Sequence, residues 1–162
     1  MPEFNSHPEA IGAERALLIA AEFADKIKVR EVGANRGYWV ERFLASVGLG
    51  PSYAWCAAFV TFCLKTAGAK NLPKHPASVL GWMQWAEANN AFLTKPVRGC
   101  AFAFMHTKTT GHIGFVVRET LGPSVATIEG NTNAQGSREG DGVYRRTRAE
   151  SGLKFIDLRK CF

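Results

Sequence analysis

A cysteine at the start of an apolar segment and a histidine at the start of an apolar strand are the residues of this sequence best suited to nucleophilic chemistry. Cys56 follows a loop with two glycines and a proline, residues 48–52, that leads into a predicted helix. The unpaired N–H groups and the positive dipole end of a helix N-terminus stabilise a thiolate, which is the form of cysteine that attacks carbonyl carbon. A cysteine in an apolar helix is nevertheless more often an inert core residue, and Cys63 fits that description.

His112 is the best candidate for the base that such a thiol needs. It stands at the mouth of the apolar strand predicted over residues 113–117. An imidazole can accept the thiol proton and return it to a leaving amine near neutral pH. His75 lies between two prolines and His7 lies near the chain terminus, so both are weaker candidates, while His106, at a strand end, is the reserve.

Glu129 and Asn131 directly follow the next predicted strand, residues 125–128. If this strand and residues 113–117 pair as an antiparallel hairpin, the end of one at Glu129 lies beside the start of the other at His112. A carboxylate in that position holds the imidazole in the required tautomer. Taken separately, Glu129 is typical of a solvated strand end and Asn131 of a turn.

The elements that must position these residues change character near residue 98. Three stripes at helical spacing predict helices: Leu17, Ala20, Ala21, Ala24 and Ile27; Val40, Phe43, Leu44 and Val47; and Val79, Trp82, Met83 and Ala86 after Ser78 as an N-cap. Residues 53–64 are apolar on every side, which predicts a helix over 54–66 that is surrounded by protein.

Short β-type runs separated by turns follow, at residues 101–105, 113–117, 125–128, 143–146 and 153–158. Helices first and strands second predict an α+β domain, with the buried helix packed on one face of an antiparallel sheet.

Length and composition fit one globular domain. The chain has 162 residues, 46% hydrophobic and 21% charged, so a disordered chain is excluded. The net charge of +6 favours an anionic partner such as a cell-wall polymer, nucleic acid or an acidic membrane. No helix-turn-helix, phosphate loop or aromatic-basic RNA signature is present, which argues against nucleic acid.

Targeting and metal signals are weak. The cysteines at 56, 63, 100 and 161 form no CxxC pair and no His cluster has zinc spacing, so we expect no structural metal site. Their even count permits disulfides, but without a visible leader we expect free thiols. The uncharged stretch 43–64 is interrupted by Gly48, Gly50 and Pro51, and its apolar part after Ser52 is too short to span a bilayer. The N-terminus has no basic start or apolar run of a secretory signal, although residues 1–4 could equally be a remnant of cloning.

Three segments, Trp55–Val60, Gly111–Gly114 and Glu129–Thr132, resemble in chain order the motifs of the CHAP amidase/peptidase family, a branch of the papain-like NlpC/P60 superfamily. Arg30–Gly37 is similar to a segment that precedes the cysteine in many bacterial members. The resemblance covers about residues 25–160. It implies a papain-like fold, with a catalytic domain over 25–162 preceded by an N-terminal helical extension over 1–24.

The resemblance also implies the chemistry. Cys56 would be the nucleophile, His112 the general base and acid, Glu129 the group that orients His112, and Asn131 a second polar support. The reaction would be hydrolysis of an amide in bacterial peptidoglycan, by an N-acetylmuramoyl-L-alanine amidase or a peptide endopeptidase acting as a lysin or an antibacterial effector. A cysteine protease or acyl transferase on another substrate, or a non-catalytic basic binding module, is the alternative.

We expect no cofactor and no metal, because residues 32–37 lack the aspartates of the calcium-binding phage members. The expected partner is peptidoglycan, without nucleic acid or membrane insertion, and with an inhibitory immunity protein if the chain is an effector. It would be made in the cytoplasm and act at the cell wall or in the periplasm. Arg145, Arg146 and Arg148 could anchor it, or form a solvated strand end. A last set of residues lines the substrate groove or belongs to the core: Tyr53, Trp55, Trp82 and Trp85.

Overall fold

The computed structural model describes residues 7–132 and 140–162. Residues 1–4, which the sequence analysis considered as a remnant of cloning, lie outside the described residues. Its helices are α1 (Pro8–Glu22), α2 (Tyr38–Ser46), α3 (Cys56–Thr66) and α4 (Val79–Ala88). Its strands are β1 (Phe92–Leu93), β2 (Ala101–Met105), β3 (Gly111–Glu119), β4 (Ser124–Thr132), β5 (Gly142–Ala149) and β6 (Lys154–Ile156). The predicted α+β class, helices first and an antiparallel sheet second, is confirmed.

The helix α3 is surrounded by other elements, as its uniformly apolar sequence predicts. Eight of its 11 residues are buried, and α1, α2, β3 and β4 all pack against it. Aromatic rings join these layers: the ring centroid of Phe59 lies 5.2 Å from that of Phe43 on α2 and 6.3 Å from that of Phe115 on β3. Each buried ring contributes about 1.5–3 kcal/mol of hydrophobic free energy, so this contact fixes α3 relative to the sheet.

The sheet has six strands in the order β1-β6-β2-β3-β4-β5, and all pairs are antiparallel. The predicted hairpin of β3 and β4 is present, with Phe115 opposite Ile128 and Val116 opposite Thr127. On the other side of β3, Phe104 of β2 lies opposite His112. The hairpin of β3 and β4 therefore brings His112 and Glu129, from two of the predicted motifs, to the same end of the sheet.

The two faces of the sheet bury different side chains because successive residues of a strand point to opposite sides. Ile113 and Phe115 belong to the main core shared with the helices. Val116 belongs to a second apolar cluster, with Phe102 and Val125. His112 and Gly114 have the same parity as Val116, so they share the face of this second cluster.

Some details of the predicted elements are corrected. Ile27 is exposed, not buried, because a π-helical turn over Phe23–Ile27 extends α1. Such a turn holds more residues than an α-helical one, so the apolar stripe rotates away from the core after the buried Phe23. Strand β1 was not predicted, and β6 ends two residues before its predicted limit. The N-cap at Ser78 is confirmed, since its side chain accepts from the Gly81 N–H.

The helix α1 shares the main core through Ala16, Leu17 and Ala20. The proposed division of the chain at residue 24 stays a prediction. The four cysteines are buried free thiols. Across the described residues, the helices are all too short or too polar to cross a membrane.

Candidate active site

The beginning of α3 is fixed by a hydrogen-bonded loop. The indole Nε1 of Trp55 donates to Oε1 of Glu31 at 2.7 Å, and the backbone N–H of Asn35 donates to the other carboxylate oxygen at 2.9 Å. The backbone N–H of Ser52 donates to the Asn35 carbonyl at 3.1 Å. Cys56 is therefore the first residue of a helix whose start is tied to the preceding loop, and 7% of its surface is exposed.

His112 joins this helix end to the sheet. Its Nε2 donates to Oε1 of Glu129 at 2.8 Å, as the predicted hairpin requires. That bond leaves Nδ1 as the ring nitrogen available to another partner, and the nearby thiol of Cys56 raises the pKa of the same imidazole. The structure thus brings together the sulfur, the ring and the carboxylate that the sequence analysis selected, with His112 8% exposed and Glu129 fully buried.

A glycine makes the contact between His112 and Glu129 possible. The pairing of Phe115 with Ile128 puts Gly114, not His112, opposite Glu129, so the carboxylate reaches the imidazole diagonally. A Cβ at Gly114 would lie 3.0 Å from Cγ of Glu129 and 2.7 Å from the ring of Phe102. The sequence analysis quoted Gly114 only as part of a motif, although glycine inside an apolar strand is a signal of such close approach.

The protonation states follow from these contacts. Burial disfavours the charged form of His112, but hydrogen bonds with Cys56 and Glu129 outweigh it and raise the pKa to about 9. Burial would also raise the pKa of Glu129, yet His112 and Arg148 hold it at about 2. At neutral pH the ring is therefore an imidazolium between the sulfur of Cys56 and the carboxylate of Glu129.

Arg148 and Glu31 belong to the site and were missed as site residues. Arg148 donates to both oxygens of Glu129, at 2.6 and 2.7 Å. Arg148 is thus occupied by a buried carboxylate, whereas Arg145 forms an exposed pair with Asp25 at 2.7 and 2.8 Å. The pairing of β4 with β5 puts Arg148 opposite Val125, and that register could not be derived from the sequence.

Asn131 is buried two residues after Glu129 and has a φ of 55°. A bulge in the pairing of β4 with β5 lies between Glu129 and Thr132, so the strand alternation is broken at this position. The hydrogen bonds of His112 within the described residues go to Glu129 and Cys56. The supporting role of Asn131 stays a prediction.

The remaining candidates fall outside the site or in the core. Cys63 is fully buried, and burial raises its pKa well above the ordinary value. Trp55, Trp82 and Trp85 are core residues, whereas Tyr53, close before Cys56 in the chain, is 55% exposed. In the described part of the chain, His, Cys, Asp and Glu side chains form no group of three that could hold a metal ion.

A thiol at a helix N-terminus, packed beside a histidine and a glutamate on an antiparallel sheet, defines a papain-like α+β domain. The CHAP domain model matches residues 48–131, just over half of the chain, and the chain belongs to the CHAP domain family. In general terms this family acts on peptidoglycan as amidases or peptidases. No curated protein and no solved structure matches the chain. The wider relationship to the NlpC/P60 superfamily stays a prediction.

Proposed function

We propose that this protein is a cysteine hydrolase that cleaves an amide bond of bacterial peptidoglycan, either the bond between N-acetylmuramic acid and L-alanine or one within the peptide. Membership of the CHAP family supports the substrate class. The single observation that supports the mechanism is the continuous contact from Cys56 through His112 to Glu129. An unrelated structural cysteine has no reason to meet an imidazole that is held by a buried carboxylate.

The proposed reaction has two stages. The thiolate of Cys56 attacks the amide carbon, and the imidazolium of His112 gives its proton to the leaving amine as the C–N bond breaks. Water then attacks the thioester while neutral His112 takes its proton, and the acid leaves as the thiolate re-forms. Glu129 keeps the ring oriented through both stages, since its bond to Nε2 leaves Nδ1 directed to the reacting atoms.

The start of α3 can stabilise the oxyanion that forms in each stage. The first backbone N–H groups of a helix have no acceptor within that helix. The N-cap residue is Trp55, and within the described residues its side chain makes no capping hydrogen bond. The N–H groups beside Cys56 are therefore available to an incoming oxygen, and each such donor contributes about 100- to 1000-fold to rate in known acyl-transfer sites.

Digestion of purified cell walls tests this proposal. We expect the wild-type protein to release new fragments that are seen by mass spectrometry, and Cys56→Ala to release none. An amidase would separate stem peptides from intact glycan, whereas an endopeptidase would leave shortened peptides on the glycan. Unchanged walls together with cleavage of a protein substrate would support a cysteine protease and contradict the proposal.

We further propose that the protein acts as a lysin or an antibacterial effector at the cell wall or in the periplasm, with an immunity protein in the producing cell in the effector case. The net charge of +6 supports binding to an anionic envelope. We expect growth to stop when the protein is directed to the periplasm of a test bacterium, and to continue when it stays in the cytoplasm. Equal toxicity in both compartments, or toxicity retained by Cys56→Ala, would contradict this role.

A further inference from the structure

The carboxylate of Glu129 is bonded on both oxygens although no part of it reaches solvent. Oε1 accepts from Nε2 of His112 at 2.8 Å and from Nη2 of Arg148 at 2.6 Å. Oε2 accepts from Oγ1 of Thr127 at 2.6 Å and from Nε of Arg148 at 2.7 Å. Two of the four donors thus come from one planar guanidinium, and a fork of this kind fixes the plane of a carboxylate as well as its distance.

Arg148 is itself held in place by aromatic rings. The side chain is 18% exposed, and its Cζ lies 5.4 Å from the ring centroid of Phe102 and 5.3 Å from that of Phe104. These rings also flank His112, with centroid distances of 6.0 and 5.9 Å. A cation over aromatic faces is attracted by the ring quadrupoles, so the guanidinium has little freedom to move.

The charge of Arg148 is needed where it lies. A buried carboxylate without a cation takes up a proton, because desolvation disfavours the ionised form. A protonated Glu129 could not balance the imidazolium of His112. The charged and titratable groups around Glu129 are Cys56 of α3, His112 of β3, and Tyr144, Arg146 and Arg148 of β5. Arg148 pairs with the carboxylate alongside the imidazolium of His112, and unlike that imidazolium it keeps its charge at every pH in the working range.

We propose that Arg148 is a positioning residue of the active site, which acts on His112 through Glu129. It keeps the carboxylate ionised and fixes its plane, so that the imidazole stays aligned with the sulfur of Cys56. This inference rests on the proposed function only for its kinetic consequence. The effect of Arg148 on Glu129 is a property of the folded protein and can be measured without any substrate.

The kinetic test compares two arginines of the same strand that hold carboxylates in the same forked manner. Arg148→Gln should lower kcat by about 10- to 100-fold with KM little changed, because the reacting groups lose their alignment. The acid limb of the pH–rate profile should move to higher pH. Arg148→Lys, which restores the charge without the fork, should restore the acid limb and only part of kcat. Arg145→Gln, which breaks the exposed pair with Asp25, should change neither quantity.

A titration of the Glu129 carboxyl by carbon-13 NMR separates this proposal from the proposed function. In Arg148→Gln the pKa of Glu129 should rise by about one to three pH units, as expected when an adjacent cation is removed. An unchanged pKa would overturn the positioning role even if the wild type digests cell walls. If the pKa of Glu129 rises in Arg148→Gln but the wild type digests no cell wall, the positioning role is supported and the proposed hydrolase function is contradicted.

A double variant provides for the case in which Arg148→Gln does not fold. Glu129→Gln with Arg148→Gln leaves neither an unpaired carboxylate nor an unpaired guanidinium in the buried site. If Arg148 acts through Glu129, its substitution in the Glu129→Gln background should cost less than about 3-fold in kcat. Losses that multiply independently would overturn the proposal.

Discussion

The two ends of α3 carry the same functional group in opposite surroundings. Cys56, on the first turn, is 7% exposed and shares a hydrogen bond with His112. Cys63, seven residues further along, is fully buried in the apolar core, and burial raises its pKa well above the ordinary value. The same change affects Cys100 and Cys161, whose pKa values burial raises to about 12.

Under the proposed mechanism, this difference means that thiol reactivity depends on position and not on residue type. Cys56 lies at the positive end of a helix dipole and beside an imidazolium, and a core position supplies neither. Two further features belong to the surroundings of Cys56 and not of Cys63. The loop containing Glu31 holds the start of α3, and the ion pair of Glu129 with Arg148 holds the carboxylate that bonds to His112.

The largest effect is expected from the cysteines themselves. Cys56→Ser should lower kcat/KM on cell walls by at least about 1000-fold, since the oxygen nucleophile is far harder to ionise. Cys63→Ser should retain most of the activity and should show only a loss of stability. Equal losses in the two variants would contradict the distinction between the two ends of α3.

His112→Gln is expected to have the next largest effect, about 100-fold or more in kcat, because it removes the proton donor. The wild-type activity should fall as pH rises through about 9, where the imidazolium loses its proton. Steady-state rates between neutral and alkaline pH check this prediction. An alkaline limb that persists in a residually active His112→Gln would have to come from another group.

Glu31→Gln tests the loop that fixes the start of α3. One of its two donors, Trp55 or Asn35, would then face an amide NH₂ group, so we expect kcat to fall by about 10-fold through misalignment of Cys56. Glu41→Gln is the matched control, because Glu41 is an exposed carboxylate of α2 at 3.4 Å from Arg36. If the two variants behave alike, the loop does not position the nucleophile.

The smallest effect concerns stability. The pKa of His112 is about 9 in the folded protein against an ordinary value of 6.5, so the folded state binds this proton more tightly. That contribution to the free energy of unfolding is complete below about pH 6.5 and is lost as pH rises through 9. Denaturant unfolding at several pH values should show this decrease in the wild type and a smaller one in His112→Gln. Parallel curves for the two proteins would show that His112 does not couple to folding.

The central features of the site could be predicted because they depend on local patterns. An all-apolar run with Cys56 at its start predicts both the buried helix and the position of the thiol at its end. Adjacent strands with His112 at one tip and Glu129 at the other predict that the two residues lie near the same end of the hairpin, and the observed register completes their diagonal contact.

The remaining features depend on pairings that a sequence does not specify. Arg148 meets Glu129 only through the register of β5, which follows a nine-residue connection between β4 and β5. Glu31 meets Trp55 through a loop with a positive φ at Asn35, and its 24-residue separation along the chain carries no periodic signal. The exposure of Ile27 depends on a π-helical turn that the apolar stripe does not indicate.

Thiol alkylation at mildly acidic pH tests most directly the claim that Cys56 is an activated nucleophile, because the experiment needs no substrate. The folded protein would be treated with iodoacetamide at about pH 6, where free cysteine is almost entirely protonated, and the modified peptides would be quantified by mass spectrometry. We predict that Cys56 reacts at least about 100-fold faster than Cys63, and that His112→Gln removes most of this advantage. Equal slow modification of both cysteines, or fast modification of Cys56 that does not depend on His112, would contradict the account.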